Sequence, residues 1–268
     1  MRGALVVVAS LALAGSLGAQ GQDPVHFPPA DRITVHVMKN VPPTTLTKGF
    51  VFRQIVGATG SFSFAELEPG AGSAGHHHQR EQANVGIDGV MDLLIGDHRE
   101  PLAAGAAVIT PPNVRHGIRN NSDRTLLSLE FHTVRRPDLT PARPRPAVGF
   151  PAAPEPVRVA DDQKLVIPLA SDRLPHGVAK TIMGETCALS WRRLAAGAAS
   201  VDLAPARATE TYVYVVSGEA DLTSKNLKQR VAAGMLILIP AIEEHITLQA
   251  VGRRDVELVE FQPAISTR

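Results

Sequence analysis

Aromatic residues are scarce: they make up 4% of the 268 residues, although 44% are hydrophobic. A core must therefore come from Val, Leu, Ile and Ala, and the β-branched members of that set favour strands. Cysteine is almost missing too. A single Cys187 excludes an intrachain disulfide and suits the role of a small buried hydrophobe. No charge is in excess, since 27 basic residues face 26 acidic ones. That balance gives no electrostatic basis for binding nucleic acid or an anionic membrane surface. Apolar runs of about 20 residues, the length of a membrane-spanning helix, are lacking as well. The longest, Ala4 to Leu17, follows Arg2 and precedes the small residues Ala19 and Gly21. Residues 1–21 are therefore expected to be a secretory signal peptide, with the mature protein periplasmic or secreted and without membrane attachment.

What is present reads as strands. The segments I-T-V-H-V from Ile33, F-V-F-R-Q-I-V from Phe50 and S-F-S-F-A-E-L from Ser61 alternate or cluster β-formers between Pro and Gly. V-M-D-L-L-I-G-D follows from Val90, then H-R-E-P-L as a turn, A-A-V-I-T from Ala106, and T-L-L-S-L-E-F-H-T-V from Thr125. No amphipathic helix interrupts them. The expected class is all-β, a sandwich or barrel of the jelly-roll type.

Pro137, Pro141, Pro144, Pro146, Pro151, Pro154 and Pro156 exclude a central strand or helix, so residues 137–160 are expected to be an extended linker. Across it the chain repeats. Gly89, Asp92, Leu93, Gly105, Pro111 and His116 recur 129 positions later as Gly218, Asp221, Leu222, Gly234, Pro240 and His245. Two tandem barrels follow, one over 22–136 and one over 161–268.

The densest chemistry lies between Gly70 and Asn120. His76 and His78 are two apart, so on an extended strand they share a face that His77 does not. Gln82 comes four residues on, and His116 follows the Pro111-Pro112 turn. Three imidazoles and an amide oxygen make a candidate site for one divalent transition metal, among Mn, Fe, Ni, Zn and Cu. By the same offset His76, His78 and Gln82 become Pro205, Arg207 and Thr211, so the second barrel keeps only His245 and is not expected to hold a metal. It reads as a structural or dimer-forming partner, compatible with a homodimer. Arg207, Glu210 and His245 remain its candidate contacts for an organic ligand.

At these residues the chain resembles the cupin superfamily. The first cupin motif, G-x5-H-x-H-x3/4-E-x6-G, is matched by Gly70, His76, His78, Gln82 and Gly89, with Gln in place of Glu. The second, G-x5-P-x-G-x2-H-x3-N, is matched by Gly105, Pro111, His116 and Asn120, with Asn113 in place of Gly. The resemblance implies a bicupin, two jelly-roll barrels in tandem. Within the superfamily the same Gln occurs in an isomerase of the bacilysin pathway and in a cupin that linearises unsaturated uronates.

Four neutral donors leave a divalent ion its full charge, which favours polarising a carbonyl over giving up an electron. The expected function is a non-redox isomerase or lyase acting on a small oxygenated substrate such as a sugar acid or keto acid. The alternatives are a dioxygenase or oxidative decarboxylase on the same scaffold, and a binding module without turnover. Asn84 and Gly86 share Gln82's face and leave room for substrate beside an apolar wall at Ile118. Glu130 and His132, of like parity on a returning strand, and Arg53 on an earlier one are the candidates for acid, base or anchor. His78→Ala is expected to abolish stoichiometric metal binding and leave the fold intact, whereas His77→Ala is expected to be nearly silent. Elemental analysis of both variants checks the assignment.

Overall fold

The computed structural model describes residues 28–133, 165–171, 173–203, 209–241 and 245–263. The signal peptide and the linker expected from the sequence, together with Arg207, lie outside these residues. The first half contributes β1 (Thr34–Val37), β2 (Thr44–Thr47), β3 (Phe50–Val56), β4 (Gly60–Leu67) and β5 (Gln82–Asp88). It continues with β6 (Val90–Ile95), β7 (His98–Ala103), β8 (Ala106–Thr110), β9 (His116–Arg119) and β10 (Leu126–Thr133). The second half adds β11 (Ile167–Pro168), β12 (Ala179–Met183), β13 (Cys187–Leu194), β14 (Val201–Asp202) and β15 (Thr211–Ser217). It ends with β16 (Glu219–Thr223), β17 (Lys228–Ala232), β18 (Met235–Ile239), β19 (Thr247–Ala250) and β20 (Val256–Pro263). A short 3-10 turn at Met38–Asn40 is the one helical element among the described residues, and none of their helices is long and apolar enough to cross a membrane.

One segment differs from expectation. H-R-E-P-L is not a turn but most of β7, because the chain reverses just before it, with Gly96 at φ 61. Pro101 is tolerated there because β7 pairs only with β6, and an edge strand can lack one N–H.

Each half builds a barrel from two sheets. The first combines the order β11-β8-β5-β10-β4-β3-β2 with β7-β6-β9, and the second combines β1-β18-β15-β20-β13-β12 with β14-β19-β16-β17. Inside the first, Phe50, Leu67, Met91, Leu93, Ile95 and Leu102 form an apolar floor. Inside the second, Val213, Val215, Leu222, Ile237, Leu248 and Leu258 do the same. A third cluster lies between the barrels and takes residues from both large sheets, including Phe62, Phe131, Trp191, Tyr212, Tyr214 and Phe261. The few aromatics are thus spent mainly on joining the halves. Phe131 and Phe261, equivalent in the repeat, stack across that junction with ring centroids 4.8 Å apart.

The division in space is not the division in sequence. β1 pairs antiparallel with β18 of the second barrel, from Thr34↔Leu238 to Val37↔Met235. Reciprocally, β11 pairs with β8 of the first, Ile167↔Ala107 and Pro168↔Ala106. The boundaries 22–136 and 161–268 are therefore crossed in both directions. Each half lends a strand that covers an otherwise open edge of the other's large sheet, where unpaired N–H and C=O groups would be exposed.

Phe131→Ala is expected to cost about 3–5 kcal/mol, since it empties space shared by both barrels. Val90→Ala, at a position 55% exposed, should stay within about 0.5 kcal/mol of the parent. Urea unfolding of the two variants provides the comparison.

Candidate metal centre

His76 and His78 do not lie on a regular strand. They sit in an extended connection between β4 and β5, held to β9 by an isolated bridge between His76 and His116. His76 N–H donates to His116 C=O at 2.9 Å, and His116 N–H returns the bond at 2.8 Å. Gly72 allows this approach, because a Cβ there would run into the Ile118 carbonyl. Asn113 occupies the motif position usually held by Gly. It is the one non-glycine residue with positive φ among those described, at 64°, and Asn is a residue that tolerates that region. In that conformation its N–H reaches His78 C=O at 2.7 Å, tying the second motif to the first. Buried Asn120 closes the far end of β9 by donating to the carbonyls of Leu67 and Arg124 at 2.8 and 2.7 Å.

All three ring systems are oriented the same way. The Nδ1 atoms of His76, His78 and His116 bond the carbonyls of Ala74, Arg80 and Val114 at 2.9, 2.8 and 2.9 Å. A carbonyl only accepts, so each Nδ1 carries the hydrogen and each Nε2 presents a lone pair. Gln82 is fixed in turn: its Nε2 donates to Asn84 Oδ1 at 3.0 Å, which aims its oxygen at the rings. That oxygen lies 2.9 Å from His78 Nε2 and 3.0 Å from His116 Nε2. Burial lowers the pKa of His78 to about 4 and that of His116 to about 3, so neither ring carries a second proton at neutral pH. Lone pairs then face lone pairs at contact distance, an arrangement that a cation converts from repulsive to favourable. The donor atoms of His76, His78 and His116 lie within 4.8 Å of one another, a set that fits a divalent ion with Gln82 as a fourth donor.

Strand register defines the lining. β4, β10, β5 and β8 place Ser61, His132, Gln82 and Thr110 in one inward row. The next row holds Gln54, Ser63, Glu130, Asn84 and Val108. His132 Nε2 lies 2.9 Å from Gln82 Oε1 and 3.4 Å from Glu130 Oε1, so a fourth imidazole borders the donor set. Burial pushes the Glu130 carboxyl up to about 7 against the opposing pull of the Arg80 charge and a hydrogen bond from Asn84. Burial, reinforced by the Arg80 charge, also holds His132 well below the ordinary imidazole range.

Glu130, His132 and Asn84 therefore surround the donors, and Ile118, buried in the first barrel's interior, continues the same side of β9 beyond His116. Arg53 does not join them. It pairs in register with Phe64 on the opposite face of the sheet, towards the other barrel, and forms an ion pair with Glu66. Gly86 leaves no room for substrate, because the Ala103 carbonyl fills the space a Cβ would take. Sequence reasoning passed over Thr110, fully buried with a hydroxyl that has no partner. Its pairing with Gln82 across β5 and β8 was the missing signal.

The second barrel is filled where the first is polar. Asn84 and Thr110 become Val213 and Ile239 by the repeat offset, both buried, and Arg192 pairs with Glu260 on the inner face. Glu210 turns away from that interior, accepting hydrogen bonds from Ala58, Thr59 and Gly60 of the first barrel. Exposed His245 lies 3.1 Å from Asp202. Glu210 and His245 thus do not converge on a ligand pocket, because one serves the junction and the other the surface.

A family model described as "Cupin domain" matches residues 63–131. That segment is a cupin domain, and the jelly-roll barrels and the two motifs agree with it. A 57-residue stretch is 33% identical to the H2HPP isomerase of Bacillus subtilis, covering 21% of this chain and about a quarter (24%) of that protein. Among solved structures, the putative glyoxylate-induced protein of Pseudomonas aeruginosa superposes with a TM-score of 0.67 at 14% identity, over 92% of this chain and 97% of that one. A point mutant of the oxalate decarboxylase of Bacillus subtilis superposes at 0.64 and 13% identity, over 90% and 79%. At such identities these two share the fold.

The pKa shifts predict acid sensitivity of the metal-free protein. Unfolded histidine takes up a proton near pH 6.5, whereas folded His78 and His116 resist until about 4 and 3. Stability from the neutral rings is complete above about pH 6.5 and is lost as pH falls towards 4, by up to about 1.4 kcal/mol per pH unit for each ring. Urea midpoints of chelator-treated protein are expected to be clearly lower at pH 5 than at pH 7.5. An unchanged midpoint would contradict burial as neutral imidazoles.

Proposed function

We propose that this cupin is an exported, metal-dependent enzyme of the isomerase or lyase type, acting on a small oxygenated metabolite such as a keto acid or sugar acid. The observation that carries this reading is the neutral donor set, three imidazoles and an amide oxygen directed inward. A divalent ion held by His76, His78, Gln82 and His116 would supply an undiminished +2 charge to polarise a substrate carbonyl.

The chain's own residues supply the proton chemistry. Glu130, with its carboxyl pushed up to about 7, is present in both protonation states at neutral pH. It therefore removes a proton from the carbon beside the carbonyl and returns one to a neighbouring atom. Asn84 orients that carboxyl, and His132 at 3.4 Å is its neighbour for passing the proton on. The Arg80 charge, which acts on His78, Glu130 and His132, provides a counter-charge for a substrate carboxylate. Thr110 Oγ1 is available to a substrate oxygen, and Ile118 forms an apolar wall. The partial match to an isomerase that acts on H2HPP supports the same reaction class.

Metal-loaded protein is expected to interconvert members of a panel of α-keto acids and unsaturated uronates, followed by ultraviolet absorbance. Glu130→Gln should lower kcat/KM by about 10²–10⁴ with metal content unchanged. In the parent, kcat/KM should rise with pH as Glu130 loses its proton, at or below about 7, since a bound cation would favour the carboxylate. Metal-dependent oxygen uptake would replace this reading with a dioxygenase, and tight binding without turnover would replace it with a binding module.

A further inference from the structure

Two carboxylates cross the junction between the barrels in a reciprocal pattern. Glu81, 2% exposed, receives the N–H groups of Glu185 and Thr186 at 2.6 Å each and the Thr186 hydroxyl at 2.7 Å. These donors form the hairpin between β12 and β13 of the second barrel. Glu210, 4% exposed and 129 positions after Glu81, receives the N–H groups of Ala58, Thr59 and Gly60 at 2.7 Å each. Those lie in the equivalent hairpin of the first barrel, between β3 and β4. Each hairpin opens with a glycine that admits the carboxylate. A Cβ at Gly184 would stand 2.5 Å from Glu81 Oε1, and one at Gly57 would run into Glu210. Neither glycine has the positive φ that would itself require glycine.

Glu210 also accepts from the Tyr212 hydroxyl at 2.7 Å, so as a fastener it is at least the match of Glu81; the two differ in what they adjoin. Glu210 precedes Thr211, which holds nothing. Glu81 separates Arg80, whose carbonyl fixes the tautomer of His78, from Gln82, whose oxygen meets His78, His116 and His132. Alternation sends Glu81 to the junction while Gln82 points inward. The peptide that carries one candidate donor, Gln82, and the carbonyl that orients another, His78, is thus pinned from outside by the other barrel.

We propose that Glu81 is a positioning residue for the metal centre, through which the metal-free second barrel holds the donors of the first in register. This rests on the metal reading above. Residues that orient metal ligands without touching the metal typically change affinity by about 10–100-fold when altered. The effect here would be transmitted from a hairpin with no metal ligand of its own.

The test measures Zn2+ affinity by competition with a chromogenic chelator, alongside thermal unfolding of the metal-free proteins. Glu81→Gln sets an amide N–H2 against N–H donors, and Gly184→Ala displaces the clamp from the second barrel alone. Both are expected to weaken Zn2+ binding about 10-fold. Their counterparts Glu210→Gln and Gly57→Ala should lower the melting temperature to a similar degree, by roughly 3–6 °C, with affinity within about twofold of the parent. Parental affinity in both Glu81→Gln and Gly184→Ala would overturn the proposal, as would equal losses in all four variants, which would mean general loosening. A parent that takes up no Zn2+, Mn2+ or Ni2+ would overturn the metal reading itself, and this inference with it.

Discussion

The first barrel is built around an electrostatic demand. Imidazole lone pairs and an amide oxygen meet at about 3 Å, each held there by a hydrogen bond made behind it. Backbone carbonyls fix the histidine tautomers, and Asn84 fixes the amide. Burial removes the alternative of neutralising the repulsion with protons, since it pushes the imidazole pKa values far below neutrality. A divalent cation could supply the positive charge, and the polar rows around Glu130, His132 and Thr110 lie beside the place it would take.

The second barrel shows what the same fold becomes without that demand. Val213 and Ile239 stand where Asn84 and Thr110 stand in the first, and an Arg192–Glu260 pair takes the remaining polar space. The barrel keeps its value as a packing partner. An aromatic cluster joins the large sheets, each half covers an edge of the other, and buried carboxylates reach across in both directions. One barrel with a polar, histidine-lined interior is thus braced by a copy whose interior is mostly apolar.

Much of the fold was legible because it is local. Strands at Phe50–Val56, Gly60–Leu67 and Leu126–Thr133 follow from β-formers between breakers, and a repeat at constant offset needs no coordinates. His98–Leu102 forms a strand and not the expected turn because β7 lies at an edge, where proline is harmless, and edge position is not a local property of the sequence. That Arg53 lies outside the site is not legible in the sequence, because parity shows which residues share a face but not which face is inside. That Glu210 leaves the pocket is not legible either, because a repeat offset does not show that its side chain turns to the junction.

The cupin motifs, the doubled architecture and the candidate donors His76, His78, Gln82 and His116 could be read from the sequence, because all of these are spacings along one chain. Only the tertiary structure decided that His132 borders Gln82, that β1 and β11 change places, and that Glu81 and Glu210 span the junction. Those facts depend on register between strands far apart in sequence. A shift of one residue reverses every side chain, and that register is set by the packing of both barrels together.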